Sequence, residues 1–253
     1  MPVGTIVHRL ESVSSTNDAA RALALEGAPH GTAVLAREQT QGRGTKGRIW
    51  HSPAGLGLYA SFILRGPGRE AVPFPHIVPL AAGLAVSDAV REASGIATLL
   101  KWPNDIIHDG KKLGGILSEG VSGGPAGDFA VVGIGVNVGH VACDFPEGLR
   151  ATSTSLKLAG SPGATVEGLF RTLCPALDRW YNVLARGDKE AVIEAFEARP
   201  AFPPGTLVKV ETLEGPFTGE YRGLDSEGRL IVSRGGGAGT VALVAVLGLE
   251  RAS

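Results

Sequence analysis

The sequence has few cysteines and no long apolar run, and both shortages exclude classes of protein. Cys143 and Cys174 are the only cysteines and lie far apart, without the paired Cys/His spacing of a structural zinc site. No window approaches the roughly 18 apolar residues of a membrane span, and the N-terminus lacks a basic stretch followed by an apolar core. We therefore expect a reduced, cytoplasmic protein that makes no membrane contact.

The chain also lacks an excess of charge of either sign. It has 24 Lys and Arg against 25 Asp and Glu, for a net charge of -1, so no overall field attracts nucleic acid or an anionic membrane. Lysine is scarce, yet Lys101, Lys111 and Lys112 fall close together. Any anion site must therefore be local.

Apolar periodicity predicts helices and strands over the first 200 residues. The predicted helices are 15–27, with Ser15 or Thr16 as N-cap, 78–93, 165–186 and 189–198. The predicted strands are 6–10, 32–37, 56–64, 97–101, 113–119 and 129–138, the last three joined by turns that include HDGKK (108–112) and SGGPAGD (122–128). This mixture of elements indicates an α+β domain.

A breaker, ARPAFPPG at 198–205, is predicted to end that domain. Four short strands follow it, at 206–210, 217–224, 228–233 and 240–246, with tight turns between them. They predict a small β-barrel of about 50 residues. We therefore divide the chain into domains 1–200 and 201–253.

A glycine- and arginine-rich loop joins the predicted strands 32–37 and 56–64. Residues 42–48, GRGTKGR, combine backbone that can approach a ligand closely with cations, as a phosphate or carboxylate site requires. A solvated hairpin with incidental arginines explains the loop alone equally well. The loop matches the dinucleotide pattern G-x-G-x-x-G, but no helix follows it, and Arg48 and Ile49 replace the Lys and Ser/Thr of a P-loop. Neither of those nucleotide folds is therefore indicated.

Three further segments place polar residues or glycines at strand ends. KWPND (101–105) puts an amide and a carboxylate beyond a strand, although an Asn-Asp turn with Trp102 as a core anchor is favoured for that segment by itself. KKLGGIL (111–117) has lysine at the mouth of a strand, and GIGVN (133–137) is a glycine-punctuated strand. Singly, each pattern is more often a bulge or an edge charge than a site.

Together and in this order, with Ser15-Thr16-Asn17 ahead of them, these segments resemble the catalytic domain of the biotin protein ligases over most of residues 5–200. The family pattern reads S-T-N, Q-x-x-G-R-G-R-x-G-R-x-W, K-W-P-N-D, K-L-x-G-I-L and G-x-G-x-N. Five ordered matches are hard to obtain by chance. The resemblance implies a mixed central β-sheet flanked by helices, and residues 219–232 look like the SH3-like barrel that ends bacterial members.

The resemblance also implies a two-step reaction. Biotin and ATP, with Mg²⁺, would form biotinyl-5'-AMP, and the biotin would pass to a lysine of a biotin carboxyl carrier domain of acetyl-CoA carboxylase or a related carboxylase. It gives no ligands for Mg²⁺ and leaves a homodimer open. The chain starts almost at the catalytic domain, so we expect a monofunctional ligase that does not bind DNA.

Residue roles follow from the matched positions. Lys112 would follow negative charge from the carboxylate to the departing AMP. Arg43 and Arg48 would hold carboxylate and phosphates, and Asp105 would orient the acceptor amine. Trp50 would pack beside the adenylate, unless it is simply a core aromatic. The positions expected to bind biotin or nucleotide are Ser15, Thr16, Asn17, Gln39, Gly42, Arg43, Thr45, Lys46, Trp50, Lys112, Gly115, Gly133, Gly135 and Asn137. Among them, Ser15, Thr16 and Gln39 are expected to bind the ureido ring, Gly42, Gly115 and Gly133 to let the backbone close around the biotin, and Asn137 to lie near the adenine.

One position departs from the family pattern. Thr45 stands where the second arginine of G-R-G-R is expected, and Lys46 is the nearest cation. That arginine helps to retain the adenylate, so we expect this chain to retain biotinyl-adenylate more weakly than arginine-bearing relatives.

Two alternatives remain at this stage. A lipoate-protein ligase or octanoyl transferase shares the fold and the acceptor-lysine chemistry, but Gln39 and residues 15–17 suit a polar ureido head better than a dithiolane or alkyl chain. A non-catalytic binding module needs no cations at the reacting end of its ligand, which Lys112, Arg43 and Arg48 would supply.

Overall fold

The structure is a computed structural model that describes residues 1–66, 72, 75–122, 126–234, 239–243 and 246–252. Helices and strands within these ranges are, in chain order, β1 (Val7–Val13), α1 (Thr16–Leu25), β2 (Ala33–Gln39), β3 (Gly57–Leu64), α2 (Val78–Ser94), β4 (Leu99–Lys101), β5 (Asp105–His108), β6 (Lys111–Val121), β7 (Phe129–Asn137), α3 (Val166–Ala185), α4 (Lys189–Glu197), β8 (Leu207–Thr212), β9 (Gly215–Leu224), β10 (Leu230–Ser233), β11 (Thr240–Leu243) and β12 (Gly248–Arg251).

The larger sheet has seven strands in the order β1-β2-β3-β7-β6-β5-β4. The β1–β2 pair is parallel and the other neighbours are antiparallel. The predicted mixed sheet with flanking helices is therefore confirmed.

Helices cover the two faces of this sheet unequally. On β3, Leu58, Ala60 and Phe62 belong to the large core that includes α2 and α3, because alternate side chains of a strand point to the same face. On the opposite face, Phe129 and Val131 of β7 pack in a smaller cluster with α1. That face of β7 continues with Gly133 and Gly135, against which Asn17 and the ring of Trp50 pack.

The second sheet is antiparallel, with the order β11-β10-β9-β8-β12. Val208, Val210 and Leu230 belong to the same apolar core as α2. Trp102 Nε1 donates a hydrogen bond of 3.0 Å to Gly228 O. The C-terminal sheet thus packs directly on the first 200 residues, while its SH3-like character and the domain boundary remain predictions.

The four predicted helices are confirmed within two residues at each end. Ser15 occupies the N-cap position of α1 but makes no side-chain capping bond. Gln39 Oε1 instead accepts from Thr16 N at 2.9 Å. The capping oxygen therefore comes from the end of β2.

Two strands were not predicted. β5 was hidden because it has only four residues between the proline-containing KWPND segment and a two-residue turn. That turn, Asp109-Gly110, has φ of 46° and 73°, as a tight hairpin requires. β12 is equally short, and it pairs with β8 at the far end of the chain.

Parts of the predicted connections lie outside the described residues. These parts are 67–71 and 73–74 between β3 and α2, 123–125 in the predicted turn 122–128, 235–238 between the predicted strands 228–233 and 240–246, and 244–245 in the last of these strands. Among the described helices, none has the length and apolar character needed to cross a membrane.

Candidate active site

Two adjoining clefts hold most of the predicted site residues. The inner cleft lies between α1, the loop after β2 and the glycines of β6 and β7, and the outer cleft opens beside it. The inner cleft is lined by Ser15, Thr16, Asn17, Gln39, Arg43, Gly115, Gly133 and Gly135, the outer by Arg48, Asp105 and Asn137, and both by Thr45, Trp50 and Lys112. Gly42 and Lys46 line neither cleft.

The polar wall of the inner cleft is built from α1 and β2. Gln39 Oε1 accepts from Thr16 N at 2.9 Å and lies 3.0 Å from Thr16 Oγ1. Asn17 Nδ2 donates to Glu119 Oε2 at 2.6 Å. Because these side chains are held by one another, the wall is ordered before any ligand enters.

Three glycines of the matched segments are required by the protein's own packing. A Cβ at Gly133 would overlap Asn17 Oδ1, and one at Gly135 would overlap the ring of Trp50. A Cβ at Gly42 would overlap Trp50 O. Their predicted closeness to biotin remains a prediction, because the contacts that exclude a side chain here are internal.

The glycine- and arginine-rich loop is a hairpin that places Trp50 between the two clefts. Gly44 N donates to Arg48 O at 2.7 Å, and Trp50 N donates to Gly42 O at 2.9 Å. The Trp50 ring lies against Gly135, and Lys112 Nζ is 5.5 Å from the ring centroid. Trp50 thus forms a wall of both clefts, whereas Trp102 is the core anchor of its segment.

Arg43 fastens this loop to α1. Its two terminal nitrogens donate to the two carboxylate oxygens of Asp18, each at 2.6 Å. The hydrogen bonds from Arg43 hold the pKa of Asp18 below its ordinary value. Arg43 would have to leave Asp18 before its two terminal nitrogens could bind a ligand carboxylate or phosphate.

Cations dominate the outer cleft. Lys112 Nζ donates to Asp105 Oδ1 at 2.5 Å, and Arg48 and Lys101 line the same cleft. Burial lowers the pKa of Lys101. The charge of Asp105 raises this pKa, and the charge of Lys112 lowers it. Burial and Arg48 likewise lower the pKa of Lys46. An anionic ligand would stabilise the charged form of the partly buried Lys101, so the outer cleft suits phosphate groups.

Sequence reasoning missed several residues that complete the site. Lys101 and Asn104 lie inside KWPND, a segment that the sequence indicated as able to face a ligand, but they were given no role in the site. Ser61 and Glu119 lie inside predicted strands with no signal of their own. Glu250 reaches the outer cleft from β12, so only the folded chain reveals it.

Comparison with known proteins agrees with this geometry. Residues 10–137 match the model of the Biotin/lipoate A/B protein ligase family. The bifunctional ligase/repressor BirA of Bacillus subtilis is 37% identical over 220 residues, which is 87% of this chain and 67% of that protein. The biotin–[acetyl-CoA-carboxylase] ligase of Paracoccus denitrificans is 36% identical over 228 residues, with 88% and 92% covered.

A solved structure shares the whole fold. The biotin protein ligase of Aquifex aeolicus in complex with biotin and ATP superposes with a TM-score of 0.80 at 29% identity, covering 98% of this chain and 100% of that one. Both sheets of the present chain fall within that coverage. The chain belongs to the biotin/lipoate A/B protein ligase family.

Proposed function

We propose that this protein is an ATP-dependent biotin protein ligase that makes biotinyl-5'-AMP and transfers biotin to a lysine of a biotin carboxyl carrier domain. The observation that carries the proposal is the position of Lys112. It lines both clefts, so its ammonium group stands where a ligand of one cleft meets a ligand of the other.

The inner cleft would take biotin. Its wall of hydroxyl and amide groups suits the ureido ring, with Ser15, Thr16 and Gln39 as the nearest partners. The chain of biotin would then run past Gly115 towards Lys112, which brings its carboxylate to the junction of the clefts. A dithiolane or alkyl chain would leave the polar wall without partners, at a cost in binding.

The outer cleft would take ATP, with the phosphates near Arg48, Lys101 and Lys112 and the adenine near Asn137. A carboxylate oxygen of biotin attacks the α-phosphorus, the bond to the bridging oxygen breaks, and pyrophosphate leaves. Lys112 offsets the charge repulsion between the two anions, and the clefts hold the reacting atoms in line.

In the second step, the amine of the acceptor lysine attacks the carbonyl carbon of the mixed anhydride and AMP leaves with the bonding electrons. Asp105 accepts a hydrogen bond from Lys112, and its carboxylate would also accept one from the incoming amine. The name of the Paracoccus denitrificans relative supports a carrier domain of acetyl-CoA carboxylase as the acceptor.

Mg²⁺ would enter with the ATP phosphates, as it does in many nucleotide sites. The described part of the chain contains no group of three or more His, Cys, Asp or Glu that could hold a metal ion by itself. No protein ligand is therefore assigned to Mg²⁺, and no step above passes through it.

Exchange of labelled pyrophosphate into ATP tests the first step. We expect exchange in the presence of Mg²⁺ and biotin, and only background exchange with lipoate or octanoate at equal concentration. Exchange supported by lipoate or octanoate instead of biotin would overturn the proposal in favour of the sister enzymes.

A further inference from the structure

A chain of hydrogen-bonded side chains runs behind the wall of the inner cleft, from Glu119 on β6 to Ser52 after the loop. Between these ends it passes through Asn17, Ser61, Thr16 and Gln39. Ser61 is fully buried, and Asn17 and Thr16 nearly so. Because these three members are buried, their hydroxyl and amide protons are shared with neighbouring protein groups.

Glu119 fixes the orientation of Asn17. Asn17 Nδ2 lies 2.6 Å from Glu119 Oε2 and 3.4 Å from Leu117 O. A carboxylate and a carbonyl only accept hydrogen bonds, so the NH₂ group must face them and Oδ1 must face Ser61 Oγ, 2.6 Å away. Ser61 therefore donates its single hydroxyl proton to Asn17.

The other end of the chain fixes the orientation of Gln39. Ser52 Oγ donates to Trp50 O at 3.1 Å, so it must accept from Gln39 Nε2, 3.0 Å away. Thr16 N donates to Gln39 Oε1. Gln39 thus presents an acceptor to Thr16.

With Asn17 and Gln39 both fixed in orientation, the hydroxyl of Thr16 has two oxygen neighbours but only one proton to share between them. Thr16 Oγ1 lies 2.7 Å from Ser61 Oγ and 3.0 Å from Gln39 Oε1. Ser61 has given its proton to Asn17, and Gln39 Oε1 has none to give. The single proton of Thr16 satisfies only one of the two contacts, and the shorter one, to Ser61, takes it.

We propose that Glu119 is a positioning residue that sets the direction of this chain and so leaves Thr16 Oγ1 and Gln39 Oε1 each able to accept one more hydrogen bond on the wall of the inner cleft. Such a wall selects a ligand that carries N–H donors. If the proposed function holds, those donors belong to the ureido ring of biotin.

Loss of Glu119 would leave Leu117 O, at 3.4 Å, as the acceptor that holds Asn17 Nδ2, and this long contact is too weak to prevent the hydrogen-bonded chain from reversing. Asn17 would turn its amide so that Nδ2 donates to Ser61, Ser61 would donate to Thr16, and Thr16 would donate to Gln39. Every contact would then have a proton, and the acceptors would be occupied before the ligand arrives. An N–H ligand would have to compete with these internal bonds.

The test is calorimetric titration of biotin and desthiobiotin, which share the ureido ring, into wild type, Glu119→Leu, Glu119→Ala and Glu119→Gln. We expect the leucine and alanine variants to bind both ligands about tenfold more weakly, as the loss of one well-formed hydrogen bond implies. Glu119→Gln keeps an acceptor oxygen for Asn17 and is expected to stay within about threefold of wild type. Glu11 is an exposed glutamate on β1, and Glu11→Leu is the matched control. We expect this variant to bind biotin and desthiobiotin as wild type does.

The KM for ATP and the melting temperature should not change in the Glu119 variants. Wild-type affinity in Glu119→Leu would overturn the proposal, and so would equal losses in Glu119→Leu and Glu119→Gln, because charge rather than acceptor geometry would then act. Failure of the wild-type protein to bind biotin would contradict the proposed function, a result distinct from either of these.

Discussion

The inner and outer clefts are built by opposite means. The inner cleft has a wall of neutral hydroxyl and amide groups that are bonded to one another, and its residues come from α1, β2, the loop after β2, β6 and β7. The outer cleft has an excess of cations that repel one another, and it takes Glu250 from the distant strand β12. The difference teaches that the inner cleft is prepared for a particular shape and donor pattern, whereas the outer one is completed by the charge of its ligand.

Lys112 lines both clefts, so the difference between the inner and the outer cleft should not appear when Lys112 is replaced. We expect Lys112→Ala to lower the rate of adenylate formation by at least about a hundredfold, as the loss of a charged group at the reacting atoms implies. Lys111→Ala is the matched control, since Lys111 is an exposed neighbour outside both clefts. Pre-steady-state pyrophosphate release measures both variants, and a fully active Lys112→Ala would remove this lysine from the mechanism.

His140 lies against Phe145, a residue of the outer cleft, and its burial should make the protein sensitive to acid. It is fully buried, stacks on Phe145 at 4.9 Å, and burial lowers its pKa to about 4. Its ordinary pKa is about 6.5, so as pH falls from there towards about 4 the unfolded chain binds a proton that the native one does not. We expect the free energy of unfolding to fall over this window by about 2 to 3 kcal/mol.

Urea unfolding of wild type and His140→Phe at a series of pH values measures this effect. The phenylalanine variant should have a flatter profile between about pH 6.5 and pH 4. Parallel profiles for the two proteins would show that other groups cause the acid sensitivity.

Substitutions confined to one cleft should separate the two substrates. Thr16→Val keeps the shape of the side chain and removes its hydroxyl, so the KM for biotin should rise about tenfold while the KM for ATP stays unchanged. Lys101→Met should have the reverse effect, because it removes a cation from the outer cleft. Steady-state kinetics with each substrate varied in turn decides this, and a variant that raises both constants equally would mean that the clefts are not independent.

Thr45 offers the smallest and finest test, since it lines both clefts where a second loop arginine is expected. Lys46, the nearest cation, lines neither cleft. We expect Thr45→Arg to slow dissociation of biotinyl-adenylate by several-fold, on the order of one added charge-assisted contact. Stopped-flow release of the intermediate measures it, and an unchanged rate would remove Thr45 as the cause of weak retention.

The sequence predicted the inner cleft better than the outer one, for physical reasons. Thr16, Gln39 and Gly133 sit in short contiguous patterns whose order along the chain resembles that of the biotin protein ligases. Charge balance also indicated that any anion site must be local, and three cations, Arg48, Lys101 and Lys112, do line one cleft. The sheet and helices followed from apolar periodicity because their burial is nearly complete along β3 and α2.

What could not be predicted depends on distant pairings. Arg43 donates hydrogen bonds to Asp18, 25 positions away, and Asn17 donates one to Glu119, 102 positions away. The chemical types of these residues alone do not reveal such partners. β5 and β12 were missed because four residues carry too little periodicity to distinguish a strand from a turn.

The central claim is that one site performs both half-reactions, and a single-turnover experiment tests it most directly. The protein is incubated with Mg²⁺, ATP and labelled biotin, freed of unbound ATP and biotin, and then mixed with a biotin carboxyl carrier domain. The account predicts that label moves from the protein-bound adenylate to one lysine of the carrier domain with release of AMP. Recovery of labelled free biotin, with no label on the carrier domain, would contradict it.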